Sequence, residues 1–318
     1  MTANGDEHLQ EPIVIACASD AMYIRPLATM LRSLIDNLGT DRRAEIYVIQ
    51  TGLGAEQRAM VTHGWLADRI TASWIEADES SFAELPLWGR MPVSTYYKLE
   101  LPTLLPPKVK KVIWLDCDLL ILEDIGELWD TSIEGHKLGA VQDAIVPFVS
   151  SRCGIAKHSE LGIDGSAKYF NAGVMVADVD AWRKENVREK AMAYLKRHSG
   201  SVVFWDQEGL NAVLAGEWLE MDERWNHNAS IPPSRKRLSG TGAIVHFAGS
   251  LKPWRFRSSD PLRNLYYEYL DRTAFAGWRP ESSMAGSFVS FYEQSGLRTR
   301  WDPMWNVGMR MIRGMSRR

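Results

Sequence analysis

Cysteine is scarce in this chain: Cys17, Cys117 and Cys153 are the only three in 318 residues. An odd count at such spacing builds neither a disulfide framework nor a zinc site. Cys17 and Cys117 lie in apolar stretches, where a thiol serves as a small core residue, and this usage fits a reducing cytoplasm. Long apolar runs are absent, so no segment reads as a transmembrane helix. Met1 to Glu11 are polar and acidic and lack the apolar stretch of a secretory signal, so the expectation is a cytoplasmic protein. An excess of one charge is also missing: 37 basic residues face 40 acidic ones, a formal net charge of −3. That leaves no global signal for nucleic acid. There is no internal repeat, and the turn after the first apolar run, Ser19-Asp20-Ala21-Met22, contains no glycine-rich phosphate loop.

What is present is a strand–helix alternation. Ile13–Ala18 is a short apolar run that reads as a buried strand. Leu27, Met30, Leu31, Leu34, Ile35 and Leu38 then fall on one helical face, and Gly39 stops that helix. Strands are expected over Glu45–Gln50, Ile70–Ile75, Lys110–Leu115, Leu138–Gln142, Gly173–Ala177 and Ala243–Phe247. Helices are expected over Glu56–Leu66, Thr95–Leu104, Val179–Ser199, Gln207–Leu214 (with Asp206 as its N-cap) and Asn264–Leu270. Such alternation implies an α/β fold with a mostly parallel central sheet and helices on both faces. A long irregular stretch from Val146 to about Lys168 reads as a lid, an acceptor-binding loop or a disordered segment.

The most informative stretch is Trp114-Leu115-Asp116-Cys117-Asp118. A buried strand ends in two carboxylates spaced i, i+2, which on an extended chain point to the same side. Open α/β sheets bind ligands at the carboxyl ends of their strands. Two carboxylates converging there repel each other unless a cation sits between them, and a hard divalent ion that also holds phosphate oxygens is the simplest candidate. The bland alternative is a pair of turn or N-cap aspartates.

The C-terminal stretch differs in character. Arg298, Arg300, Arg310, Arg313, Arg317 and Arg318 face only Asp302, and Trp301, Met304, Trp305, Met309, Met311, Ile312 and Met315 lie between them. A basic segment rich in tryptophan and methionine reads as an amphipathic tail at an anionic membrane surface. The alternative is a terminal helix docked on the protein with its arginines solvated.

Six segments taken in order resemble glycosyltransferase family 8, the retaining GT-A enzymes that include bacterial lipopolysaccharide glucosyl- and galactosyltransferases. They are Ala18-Ser19-Asp20, Ser94-Thr95-Tyr96-Tyr97-Lys98-Leu99, Val112 to Leu120, Tyr169-Phe170-Asn171-Ala172-Gly173-Val174, Trp205-Asp206-Gln207-Glu208-Gly209-Leu210-Asn211 and His246 to Trp254. Asp260 to Tyr266 extends the likeness. The resemblance implies a GT-A catalytic domain over residues 12–275, Rossmann-like in its sheet, followed by a tail over 276–318.

The resemblance also implies roles for individual residues. Asp116 and Asp118 match the pair holding Mn²⁺ or Mg²⁺ against a nucleotide diphosphate, and His246 matches the third metal ligand; imidazole with carboxylates suits Mn²⁺. Gly249 would let backbone approach phosphate closely, and Lys252 would neutralise the departing diphosphate. Ala18 and Asp20 match contacts to the uridine, and Met22 replaces a polar residue common in that loop. Lys98 stands near the donor sugar where the family usually has arginine, without the arginine's bidentate fork. Asn171 matches a residue near the donor sugar, Asp206 one that binds sugar hydroxyls, and Gln207 the side chain beneath the anomeric carbon. Asp143, at a strand end, reads as a donor or acceptor contact or as a solvated turn residue.

The implied reaction is transfer of glucose or galactose from UDP-glucose or UDP-galactose to a hydroxyl of a saccharide or lipid-linked saccharide, with retention. A metal-dependent nucleotidyltransferase also uses Asp-x-Asp, but it would usually carry the glycine-rich loop missing here. A non-catalytic carbohydrate-binding protein would not need Asp116, Asp118 and His246 together.

Overall fold

The structure, a computed structural model, describes residues 11–87, 91–229, 242–249, 252–255 and 261–280. The basic tail and the residues around Asp260 therefore lie outside the described residues, as does most of the segment 276–318.

The chain opens with β1 (Ile13–Asp20), α1 (Ile24–Asp36), β2 (Ala44–Thr51), α2 (Ala55–Val61) and β3 (Ile70–Glu76). A 3-10 segment, Val93–Glu100, runs into α3 (Leu101–Leu104) and then β4 (Lys111–Leu115), β5 (Leu119–Ile121), α4 (Ile125–Trp129) and β6 (Leu138–Gln142). After the irregular stretch come β7 (Phe170–Asp178), α5 (Val179–Glu185), α6 (Val187–Arg197), α7 (Trp205–Leu214) and β8 (Trp218–Glu220). A second 3-10 segment, Glu223–Asn226, leads into β9 (His227–Asn228), followed by β10 (Ile244–His246) and α8 (Pro261–Leu270).

Seven strands form the central sheet in the order β3-β2-β1-β4-β7-β6-β8. Every pair is parallel except those made by β7, which runs against both β4 and β6. The sheet is thus mostly parallel, as expected, with one reversed strand. Alternation along the central strands builds the two faces. Ile13, Ile15 and Cys17 of β1, with Ile113 and Leu115 of β4, pack under α1 on one side. Ala16, Val112 and Trp114 join the core beneath α5, α6 and α7 on the other. Leu27, Met30, Leu31, Leu34 and Ile35 of α1 are all buried, the helical face read from the sequence.

Four helix expectations need correction. The second helix stops at Val61 rather than Leu66; the Thr62 hydroxyl bonds back to the Arg58 carbonyl, and Gly64 takes φ +70°. The Thr95–Leu104 segment is 3-10 as far as Glu100 and α-helical only over Leu101–Leu104. Pro102 supplies no N–H, and inside a continuous α-helix its ring would clash with the Lys98 carbonyl. The long helix expected over Val179–Ser199 is two helices broken at Asn186, which adopts φ +53°, a left-handed conformation that asparagine tolerates. Asp206 is not an N-cap: α7 begins one residue earlier, at Trp205, and Phe204 occupies the cap position.

The carboxyl ends of β1, β4 and β6 meet at one sheet edge, carrying Asp20, Asp116 and Asp143. Because β7 runs the other way, its start brings Asn171 to the same edge. A second sheet of three strands, β5-β10-β9, sits beside it. There β10 pairs antiparallel with β5, and His246 lies opposite Leu119.

The 3-10/α3 segment, which carries Ser94, Thr95 and Lys98 to that edge, is gripped at Glu100 by Arg188 of α6 (2.6 and 2.8 Å) and at its end by Arg183. Arg183 of α5 donates to the carbonyls of Pro102 (2.9 Å), Leu105 (2.9 Å), Pro106 (3.1 Å) and Val109 (2.8 Å). Replacing Arg183 with Met strands these acceptors, and hydrogen bonds to a charged donor are the stronger ones. We expect Arg183→Met to lower the unfolding free energy by about 2–4 kcal/mol, read by urea denaturation; an unchanged midpoint would refute the anchoring role.

Candidate active site and metal centre

Asp116 and Asp118 do not sit in the strand itself. They flank Cys117 in the bend between β4 and β5, and two backbone bonds fix that bend. The Asp116 N–H donates to the Gly173 carbonyl at 2.9 Å, and the Phe247 N–H donates to the Asp118 carbonyl at 2.9 Å. The first bond ties the pair to β7 and the second ties it to the segment after His246. Asp116, Asp118 and His246 thereby bring one donor atom each to within 4.8 Å of one another. Among the described residues, this is the sole group of three or more such side chains that could hold a metal ion. Two carboxylates and an imidazole make a donor set suited to Mn²⁺ or a similar divalent ion.

Electrostatics favour a cation at this point. Asp20, Asp116, Asp118, Asp143 and Asp206 crowd the edge, compensated by Lys98 and Lys252. Desolvation pushes the Asp116 carboxyl above its usual range, Lys98 opposes that rise, and Asp118 adds to it. Burial alone would raise Asp118 too, but Lys252 and His246 overcome it and hold that carboxyl well below the carboxylate range.

Lys98 is almost fully buried, its side chain 4% exposed, between two acids. Its Nζ lies 3.1 Å from Asp116 and 2.7 Å from Asp206, and it donates to the Ala172 carbonyl at 3.1 Å. Three acceptors thus match the three donors of an ammonium. Burial alone would lower the lysine's pKa, and the two carboxylates raise it instead. Asp206 also accepts from Thr95 Oγ1 at 2.7 Å, so its carboxylate points into the site and not along its helix. Lys252 contacts Asp118 and donates to the Phe247 carbonyl at 2.7 Å.

Asp143 is a hub. One carboxylate oxygen accepts the backbone N–H groups of Ile145 and Val146, both at 2.8 Å. The other accepts from Asn171 Nδ2 at 2.9 Å and Gln207 Nε2 at 3.1 Å. Gln207 Oε1 in turn accepts the Ala172 N–H at 3.1 Å, so its amide is held at both ends. Asp20 accepts the N–H groups of Met22 (2.9 Å) and Tyr23 (3.0 Å), the turn role open to it, while its second oxygen faces Ser94. The Ala18 carbonyl accepts from the Cys117 thiol at 2.7 Å. Gly249 adopts φ +88°, a conformation that favours glycine.

The structure therefore gathers Lys98, Asp116, Asp118, Asp143, Asn171, Asp206, Gln207, His246 and Lys252 into one connected cluster, with Ala18 and Asp20 at its β1 side. Residue-by-residue reading missed two neighbours. Asn226 Oδ1 lies 2.9 Å from His246 Nδ1, and nothing in its local sequence announces that partnership. Gly173 lies where any Cβ would overlap the His246 ring. An isolated glycine inside an apolar strand signals such a close approach, so this one was detectable. Gly173 also sits where β7 bulges: the β6 pairing jumps from Ala140↔Met175 to Val141↔Asn171, and bulges recur beside active sites.

The family model for glycosyl transferase family 8 matches residues 14–258. The chain belongs to glycosyltransferase family 8. A relative, general stress protein A of Bacillus subtilis, is 32% identical over 278 residues, spanning 82% of this chain and 93% of its own. A putative glycosyltransferase of Haemophilus influenzae is 24% identical over 77% of this chain and 74% of its own. Among solved structures, the galactosyltransferase LgtC in complex with donor and acceptor sugar analogs aligns with a TM-score of 0.71 at 23% identity, over 85% of this chain and 98% of that one. The bifunctional glycosyltransferase WbbM aligns with a TM-score of 0.67 at 20% identity, over 83% of this chain and 50% of that one. These likenesses establish the GT-A fold.

In this chain the buried Lys98 bridge ties three elements together as well as lining the site. Removing one partner of a buried ion pair strands the other. We expect Lys98→Met to destabilise the protein by about 3–5 kcal/mol, visible as a lowered thermal midpoint. A midpoint within a degree or two of the parent protein's would show the bridge to be dispensable.

Proposed function

We propose that this chain transfers a hexose, glucose or galactose, from a UDP-sugar to a hydroxyl of a saccharide or lipid-linked saccharide, with retention at the anomeric carbon. The observation that carries the reading is the meeting of Asp116, Asp118 and His246 at the sheet edge where open α/β folds bind their ligands. Family membership supports a sugar transferase. The donor identity rests on the matched residues and on the fit of a divalent ion to this donor set.

In this reading Asp116, Asp118 and His246 hold Mn²⁺ or Mg²⁺, which supplies neutralisation of the charge that grows on the diphosphate as the glycosidic bond breaks. Lys252 adds a second positive charge on the diphosphate side, released from Asp118 when phosphate oxygens enter. Asp20 and the Ala18 backbone face the uridine. Tyr23, whose hydroxyl burial and Asp118 push up to about 12, packs edge-on against Trp254. Lys98, Asp206 and Asn171 orient the sugar hydroxyls.

Gln207 lies beneath the anomeric carbon, its amide pinned by Asp143 and the Ala172 N–H. A pinned neutral amide is a poor nucleophile but can stabilise an oxocarbenium-like transition state from below. This supports same-face substitution: the bond from the anomeric carbon to the phosphate oxygen breaks, and the acceptor oxygen bonds to that carbon from the same side. The acceptor's proton passes to the departing phosphate oxygen. The basic C-terminal segment fits a lipid-linked acceptor at an anionic membrane surface.

The test is UDP release from UDP-glucose and UDP-galactose. Turnover should require Mn²⁺ or Mg²⁺ and vanish with EDTA. Asp118→Ala should lower it by roughly a thousandfold while leaving the circular dichroism spectrum intact, consistent with several kcal/mol of charge stabilisation. Near-normal turnover in EDTA would sink the metal role.

A further inference from the structure

Three side chains beyond the metal triad form a hydrogen-bond chain that ends on His246 and whose direction is set from its other end. Asp143 is that end, because an ionised carboxylate only accepts and here it is met by four donors. Asn171 must therefore turn its Nδ2 toward Asp143. Its Oδ1 is then left to accept from the Gly173 N–H at 3.0 Å and from Asn226 Nδ2 at 2.8 Å. With its Nδ2 committed to Asn171, Asn226 presents Oδ1 to His246 at 2.9 Å. An oxygen acceptor requires a proton on His246 Nδ1. In the neutral ring the other nitrogen, Nε2, then keeps its lone pair toward Asp118 Oδ1, 3.4 Å away. Reversing any link would set two carbonyl oxygens or two amino groups against each other. Asn226 and His246 are both buried, 6% and 5% exposed, so water does not relax the constraint.

We infer that Asn226 is a positioning residue that locks His246 in the Nδ1–H tautomer, with Asp143, through Asn171, setting the sense of the lock. The inference rests on the reading of Asp116, Asp118 and His246 as a divalent-cation site, since only Nε2 carrying a free lone pair can ligate a metal there. Imidazole ligands are generally oriented through the ring nitrogen that does not bind the metal. Here the orienting group belongs to a chain that also carries Gln207. One carboxylate thus sets both the glutamine beneath the sugar and the histidine at the metal. Three hydrogen bonds link Asp143 to the imidazole, and a fourth links it to Gln207.

The tautomer is read in metal-free protein at mildly alkaline pH by long-range ¹⁵N–¹H correlation of the histidine rings. His246 should be protonated at Nδ1 in the parent protein. In Asn226→Leu it should shift toward the Nε2–H form, which can donate to Asp118. Mn²⁺ affinity, measured by calorimetry without any sugar nucleotide, should fall by roughly 10- to 100-fold in the same variant. Asn226→Asp keeps an acceptor at Nδ1 and should retain both the Nδ1–H tautomer and Mn²⁺ binding; it carries the test if the leucine variant fails to fold. An Nε2–H tautomer in the parent protein or in Asn226→Asp would overturn the inference, as would unchanged tautomer and Mn²⁺ affinity in Asn226→Leu. A parent protein that shows the Nδ1–H form yet takes up no Mn²⁺ would support the lock and overturn the metal reading instead.

Discussion

Excess negative charge at a desolvated sheet edge is the constraint around which this molecule is arranged. Several carboxylates converge where strand ends meet, and carboxylates taken out of water are unfavourable unless cations or donors meet them. Lys98 meets two of them and also takes up the carbonyl of Ala172. Lys252 meets a third. Asp143 needs no cation because four donors meet its oxygens. Asp116 and Asp118, each met by one of these lysines, also bring their oxygens beside His246, and this group of donor atoms could hold a metal ion.

The same demand explains why elements far apart in sequence are so firmly tied. Lys98 comes from the 3-10 segment before α3, Asp116 from the bend after β4, and Asp206 from the first turn of α7. One buried ammonium holds all three together. Reversal of β7 has a comparable consequence. A strand parallel to its neighbours would deliver its carboxyl end to this edge, whereas β7 delivers its start, and with it Asn171 and Gly173. The glycine admits the His246 ring, and the asparagine carries the hydrogen-bond chain onward to it.

Much of this was legible in the chain itself. The strand–helix alternation, the buried face of α1 and the Asp-x-Asp pair after an apolar run all follow from periodicity, which needs only neighbours within a few residues. Helix ends were less legible. Pro102 and Asn186 act through local backbone sterics, yet both sit inside otherwise helical patterns, and the apolar periodicity masks them. Asp206 read as a cap because its type suits a cap; its actual role depends on a lysine more than a hundred residues away in the chain. The likeness of six ordered segments to family 8 supplied His246 and Lys252, which periodicity alone could not.

By itself, the amino-acid sequence determined the layered α/β class, the family, and the identity of the acidic and imidazole groups, because apolar spacing and short motifs are properties of contiguous residues. Only the tertiary structure decided the register that sets His246 opposite Leu119, the reversal of β7, and the partnership of Asn226 with the imidazole. Those are pairings across long stretches of chain. They are settled by which packing buries the apolar faces and satisfies the desolvated polar groups together, and no local pattern encodes that choice.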